Sequence, residues 1–321
     1  MMHKLNWIVA WSLLLVVLAP YNTNTMENEM AQITLKPLLV TEAEAAHRVV
    51  FAGASPRMIL GAMAKDKAAL ELFEVKGQTA LPLPTIDLLL PARLDFDLVE
   101  TDRREELIIA YEAHGGALSE VCVQPLGTKE QLTLPPRKAL VDERRPRFVR
   151  GGGMAIVISE NHELAVYLEG GATPRRMELC TCLDAIAMQT TNGLAVVEKT
   201  LRPGAQVANI PPGGLTLNWP WRSEVEIAHP LFQGRDVFDY DAVATSDSMV
   251  IAAVTARGLE VIMVAPDKIE RSIVVGGLPA DLEPFSPALS VNDNVLSIAT
   301  LAKSPLPLDA PTSLFYGVLQ L

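Results

Sequence analysis

One connection of this chain, from Trp219 to Arg235, gathers Trp219, Trp221, Arg222, His229, Phe232 and Arg235. Aromatic and arginine side chains bury large areas for little lost entropy, so a loop of this composition is a candidate for binding a ligand or partner. The plainer expectation is an insertion packed onto its own repeat, with Trp219 and Trp221 as internal anchors. A second candidate is the basic stretch Arg144, Arg145, Arg147 and Arg150, which ends in Gly151–Gly153. Against a formal net charge of −11 it can orient a carboxylate or phosphate through charge-assisted bonds. Its simpler reading is a solvated loop paired with Asp142 and Glu143. The three glycines precede an apolar strand, so they lack the helix and lysine of a phosphate-binding loop.

His114 and His162 fall at equivalent breaks of neighbouring repeats, a spacing that can bring both to one face. Only Glu160 or Asp66 is placed to extend them into a metal site, so surface turn histidines are the simpler reading and no metal or cofactor is expected. Neither a Gly-x-Ser-x-Gly elbow nor a His-Glu-x-x-His helix occurs, and no catalytic residue is assigned. Cys122, Cys180 and Cys182 are too few for a disulfide scaffold. Cys180 and Cys182 share one side of a strand near the limit of disulfide reach, so partly buried thiols are expected.

The elements that must position these residues recur. Pairs of apolar runs, such as Leu107–Ala113 with Ala117–Gln124 and Met249–Ala256 with Leu259–Val264, repeat at intervals of roughly 42 to 54 residues. These runs are rich in Val, Ile and Leu and too short for typical helices. Asx-rich turns such as Thr191-Asn192-Gly193 and Asn292-Asp293-Asn294 separate first and second strands, as hairpins require. Fourth strands are expected at Thr85–Leu90, Gln131–Leu134, Arg176–Cys180, Leu215–Trp219 and Ser272–Val275. A fixed period of this length predicts an all-β, six-bladed β-propeller of four-stranded blades.

The last repeat stops at Leu321 without a fourth strand, while the alternating segment Ala31–Leu38 precedes the first repeat. Pairing that segment with the last blade closes the ring and leaves few strand edges unprotected. The resemblance to β-propellers is one of architecture, over about residues 31–321. The Trp-Asp and Gly-His pairs of WD40 repeats and the Asp box of sialidases are missing.

At 321 residues, with 49% hydrophobic and 20% charged residues, the chain is globular in composition. Its acidic balance disfavours nucleic acid. An apolar run from Trp7 to Ala19, behind His3 and Lys4, is too short to span a bilayer and reads as a signal peptide over residues 1–25. A membrane contact is expected only if that segment stays uncleaved as an anchor. Residues 26–321 then form one propeller domain, secreted or periplasmic. The function expected from these features is a binding platform that presents one face of the ring to a protein or small ligand. The alternative is a propeller enzyme, a hydrolase or oxidoreductase subunit, with its site at the channel mouth.

Overall fold

The computed structural model describes residues 31–41, 46–52, 57–63, 69–87, 95–101, 106–114, 118–132, 143–160, 163–168, 173–178, 182–201, 213–219, 229–307 and 310–321. The apolar run Trp7–Ala19 lies outside them. Among the described residues no helix is long and apolar enough to cross a membrane.

The described chain is a series of antiparallel meanders. Their first strands are Ala46–Ala52, Phe96–Thr101, Glu143–Phe148, Cys182–Thr190, Val237–Ala244 and Glu283–Asn292. Neighbours in this list contact one another, and the last returns to the first, so these strands surround a common axis. We call them inner strands and number the repeats one to six. Hydrogen bonds group the meanders into five sheets, because repeats four and five are joined at a single pair, Gly213 with Val237.

Near-continuous apolar runs, such as the wholly buried Met249–Thr255, make both faces of these sheets apolar, and each face needs a cover. The buried residues accordingly form separate apolar layers between consecutive repeats. Ile109 and Phe96 meet Val50 and Ile59 between repeats two and one. Ile186 and Met188 meet Tyr240 and Ile251 between four and five. Leu301 and Leu314 meet Val49 and Leu60 where the ring closes. Two stacked sandwiches would instead bury one layer each. The chain is therefore an all-β propeller. Gly61 shows how tight these layers are, because a Cβ there would enter the ring of Phe96.

Closure uses the N-terminal segment with a shifted register. Lys36–Thr41 pairs antiparallel with Thr312–Gln320 and completes the last meander. The expected closing strand, Ala31–Leu38, is split: Gln32–Thr34 instead pairs in parallel with Glu270–Gly276 of repeat five. Ile33 and Leu35 are each 1% exposed in the apolar layer between repeats five and six, which draws the segment across both. Gly277, at φ +89°, passes directly beneath the Leu35 carbonyl, where a Cβ would overlap it.

Other expectations shift locally. A Gly77-Gln78 turn, with Gly77 at φ +59°, starts the fourth strand of repeat one early, at Thr79–Pro82, with Ile86–Asp87 pairing beside it. Gly213–Asn218 pairs directly with Gly193–Leu201, so it is the third described strand of its repeat and not the fourth. Part of the expected strand Gln131–Leu134 lies outside the described residues. Asp293 and Asn294, at φ +47° and +62°, form the two-residue hairpin turn their sequence suggests.

Candidate functional site

Inner strands have one edge facing the axis, where backbone N–H groups lack a neighbouring strand. Buried donors need acceptors, and here acidic and hydroxyl side chains of the preceding repeat supply them. Phe148 N donates to Asp97 Oδ2 at 2.9 Å, and Leu289 N donates to Asp241 Oδ2 at 2.7 Å. Ser286 N donates to Asp239 Oδ2 at 2.9 Å, and Val49 N donates to Ser286 Oγ at 3.0 Å. Thus the residues that staple the ring also line its channel with charge.

A repeated irregularity aims them. Register shifts interrupt five inner strands near their starts, at Ala46/Arg48, Arg144/Arg147, Cys182/Asp184, Val237/Asp239 and Phe285/Ala288. Bulges bend a strand and redirect its side chains, and they recur beside functional sites. Arg145 and Ser286 sit in two of these bulges at φ +53° and +48°.

Two layers of ion pairs result. In the layer near the strand starts, Arg147 Nη1 and Nη2 lie 2.6 and 3.0 Å from the two oxygens of Asp95. The same Nη2 is 3.2 Å from Asp184 Oδ2, and Arg48 Nη1 is 2.6 Å from Asp95 Oδ1. In the second layer, Arg150 Nη1 is 3.1 Å from Asp97 Oδ2 and Nη2 is 3.4 Å from Asp241 Oδ1. Arg150 is held there by its backbone, whose N–H and C=O bond Ala187 O and Gln189 N at 2.9 and 2.8 Å.

Burial and charge separate the proton affinities in the first layer. Burial pushes Asp95 up, but the adjacent Arg147 and Arg48 outweigh it and hold the carboxyl below its ordinary value. Glu112, on the second strand of repeat two, is driven up to about 7 by burial and by the charge of Asp95. Its Oε1 accepts the Arg145 N–H at 2.6 Å, which opposes that rise only in part. Across the channel, burial raises Asp239 against the pull of Arg48 and Lys199. Burial lowers Lys199 to about 8 although Asp239 and Asp184 resist it, and its Nζ donates to the Phe238 carbonyl at 2.5 Å. Phe238 itself is 43% exposed at the bulge beside Asp239. A carboxyl whose proton affinity is raised to about 7 can act as a general acid near neutral pH.

The residues singled out in the sequence are placed differently from one another. Arg145 and Arg147 belong to the inner strand of repeat three and not to a solvated loop. Arg147 is 2% exposed, because carboxylates of repeats two and four compensate its charge. Trp219 packs against the layer between repeats four and five, and its Nε1 donates to Thr190 Oγ1 at 3.2 Å. Phe232, at 1% exposure, is a core residue of that layer and presents no contact surface. His229 is half-buried with Nε2 3.8 Å from Glu270, and Arg235 pairs with Glu260 at 2.8 Å. Trp221, Arg222 and His162 lie outside the described residues. His114 ends the strand Glu106–His114, opposite Ser119. Cys122 is buried, and its Sγ accepts a bond from Gln131 Nε2 at 3.4 Å. Among the described residues no three His, Cys, Asp or Glu side chains are grouped to hold a metal ion.

The carboxylates of the channel went unrecognised in the sequence, although a signal exists. Asp95-Phe96-Asp97 and Asp239-Tyr240-Asp241 repeat an Asp-aromatic-Asp phrase in the inner strands of repeats two and five. In both, the aromatic enters an apolar layer while the second aspartate staples the next repeat.

No family model matches the chain. No curated protein sequence matches it either. Its fold resembles solved structures at low identity. An α-L-arabinanase from Penicillium chrysogenum, complexed with arabinobiose, superposes with a TM-score of 0.57 at 10% identity, covering 89% of this chain and 98% of that one. An α-L-arabinofuranosidase from Fusarium graminearum, a mutant bound to an iminosugar inhibitor, gives 0.52 at 11% identity, covering 90% and 98%. These likenesses establish the fold class.

Proposed function

We propose that the protein is an exported hydrolase of glycosidic bonds, acting at the channel mouth where the inner strands begin. The observation that carries this reading is the divergence in proton affinity between buried Glu112, raised to about 7, and Asp95, which Arg147 and Arg48 hold low in the same charged layer. Glu112 gives its proton to the leaving oxygen as the glycosidic C–O bond breaks, ionised Asp95 stabilises the positive charge developing on the sugar ring, and water then adds to that ring carbon and returns a proton to Glu112. The sugar-acting enzymes that share the fold support carbohydrate as the substrate class. Exposed Phe238 adds an apolar face at the same mouth, beside Asp239.

Screening the mature chain against aryl glycosides, pentosides included, tests the reading. The wild-type protein should release the phenol, and Glu112→Gln should reduce turnover by 10²-fold or more while unfolding at a similar temperature. No turnover on any glycoside, or full activity in Glu112→Gln, refutes it.

A second reading keeps the site without the chemistry. Arg147 and Arg48 occupy both oxygens of Asp95, an arrangement that suits recognition of a ligand or protein partner at the ring face. Ligand binding without turnover would favour it.

A further inference from the structure

The channel arginines Arg48, Arg147 and Arg150 are unequally used. Arg147 donates to Asp95 through both terminal nitrogens, and its Nη2 also reaches Asp184. Arg150 likewise spends Nη1 on Asp97 and Nη2 on Asp241. Arg48 makes a single contact, from Nη1 to Asp95 Oδ1 at 2.6 Å. That oxygen already accepts from Arg147 at the same distance, 2.6 Å. Among the described residues Nη2 of Arg48 has no acceptor, and its Nε is buried without one.

The idle edge has a definite chemistry. Nε and Nη2 of a guanidinium present parallel N–H bonds that match the two oxygens of a planar carboxylate. Arg57 uses the same edge in this way, with Nε and Nη2 at 3.1 and 3.4 Å from the two oxygens of Glu74. Asp239, the acid across the channel that feels Arg48, already accepts from the backbone of Tyr240 and Ser286 at 2.9 Å each. Arg147 meets both oxygens of Asp95, which leaves the charge of Arg48 for a ligand. Ionised Asp95 beside it disfavours a dianion such as a phosphate ester, so a single negative charge is the better match.

The surroundings say what carries that charge. Val49 N donates to Ser286 Oγ, and Ser286 N donates to Asp239, so repeats one, six and five are stapled in that order. Phe238, next to Asp239, is exposed at this mouth and offers an apolar face on which ring carbons can pack. Arg48 therefore lies, around the ring, between Asp95 and Phe238. We infer that the saccharide taken at this mouth is acidic, with the carboxylate of a uronic acid unit held by the open edge of Arg48 and a sugar face on Phe238. The carbohydrate body rests on the hydrolase reading above, whereas the carboxylate rests on Arg48 alone. Arg48 is then the residue that sets specificity.

The probes are galacturonate and glucuronate, their neutral parents galactose and glucose, acetate and inorganic sulfate, titrated into the full chain and followed by saturation-transfer NMR and calorimetry. At least one uronate should bind tenfold or more tightly than its neutral parent and than acetate, and sulfate should not displace it. Arg48→Met should erase that preference while leaving the neutral sugar's affinity in place. Phe238→Ala, at an exposed position, should weaken uronate and neutral sugar by the same factor, a comparison that holds even if Arg48→Met does not fold. Equal binding of uronate and parent, equal binding of acetate, displacement by sulfate, or a preference that survives in folded Arg48→Met overturns the proposal. Binding needs no turnover, so the two readings fail separately. Selective uronate binding by a chain inactive on every glycoside supports the acidic ligand and refutes only the hydrolase; turnover of neutral glycosides without uronate preference does the reverse.

Discussion

Arg150 Nη2 lies 3.4 Å from Asp241 Oδ1, a contact that joins repeat three to repeat five without passing through repeat four. The same guanidinium reaches Asp97 of repeat two. One side chain therefore crosses the axis and ties together strands far apart in the ring. Its partners are not replaceable by solvent, because Asp97 is wholly buried.

Arg150→Met should accordingly be severe. Breaking a buried pair by removing one partner costs about 3–5 kcal/mol, since it strands an uncompensated charge. The variant should unfold at clearly lower denaturant concentration, monitored by circular dichroism. The triple change Asp97→Asn, Arg150→Met, Asp241→Asn should recover part of that loss. Wild-type stability in the single variant would show that the triad contributes little.

The N-terminal strap predicts a second outcome. Gly277→Ala places a Cβ against the Leu35 carbonyl at a left-handed φ, so a loss of about 1–3 kcal/mol is expected from urea denaturation. A chain beginning at residue 42 loses Ile33, Leu35 and the partner of Thr312–Gln320. Burial of each of those two side chains contributes about 1.5–3 kcal/mol, and the freed edge invites pairing between molecules. Size-exclusion chromatography should show aggregation of the truncated chain.

Stability should depend on pH through Glu198. Burial raises its carboxyl to about 7, against the bond from Asn218 Nδ2 at 2.7 Å. Because the folded form holds the proton more tightly, the unfolded chain binds fewer protons between about pH 4.5 and 7. Stability contributed by this group is therefore full below about pH 4.5 and is lost as pH rises through 7. Glu198→Gln should flatten that limb and stabilise the protein at pH 8, by on the order of 2 kcal/mol. An unchanged pH–stability profile would remove Glu198 as its source.

Turnover at the channel mouth should fall as Glu112 ionises. With its carboxyl at about 7, the proton available for transfer declines above that pH. The basic limb of the kcat/KM profile on an aryl glycoside should reflect this group. Arg145 lowers Glu112 both through its backbone N–H and through its guanidinium charge, so Arg145→Ala should keep the bond and move that limb to higher pH.

The sequence by itself determined the propeller architecture. Its period, its alternating apolar runs and its incomplete last repeat are local or additive signals, and the strap Lys36–Thr41 pairs where such a closure required. Register was less legible: Ile33 and Leu35 chose their side of the strap by burial against repeats five and six. The channel was decided by tertiary structure alone. Arg147 reads as one cation of a basic run until Asp95 and Asp184 arrive from other repeats. Phe232 reads as a contact residue until the layer between repeats four and five encloses it. Charge compensation and burial are set by distances between segments that the chain separates, so residue type at a given position leaves them undetermined.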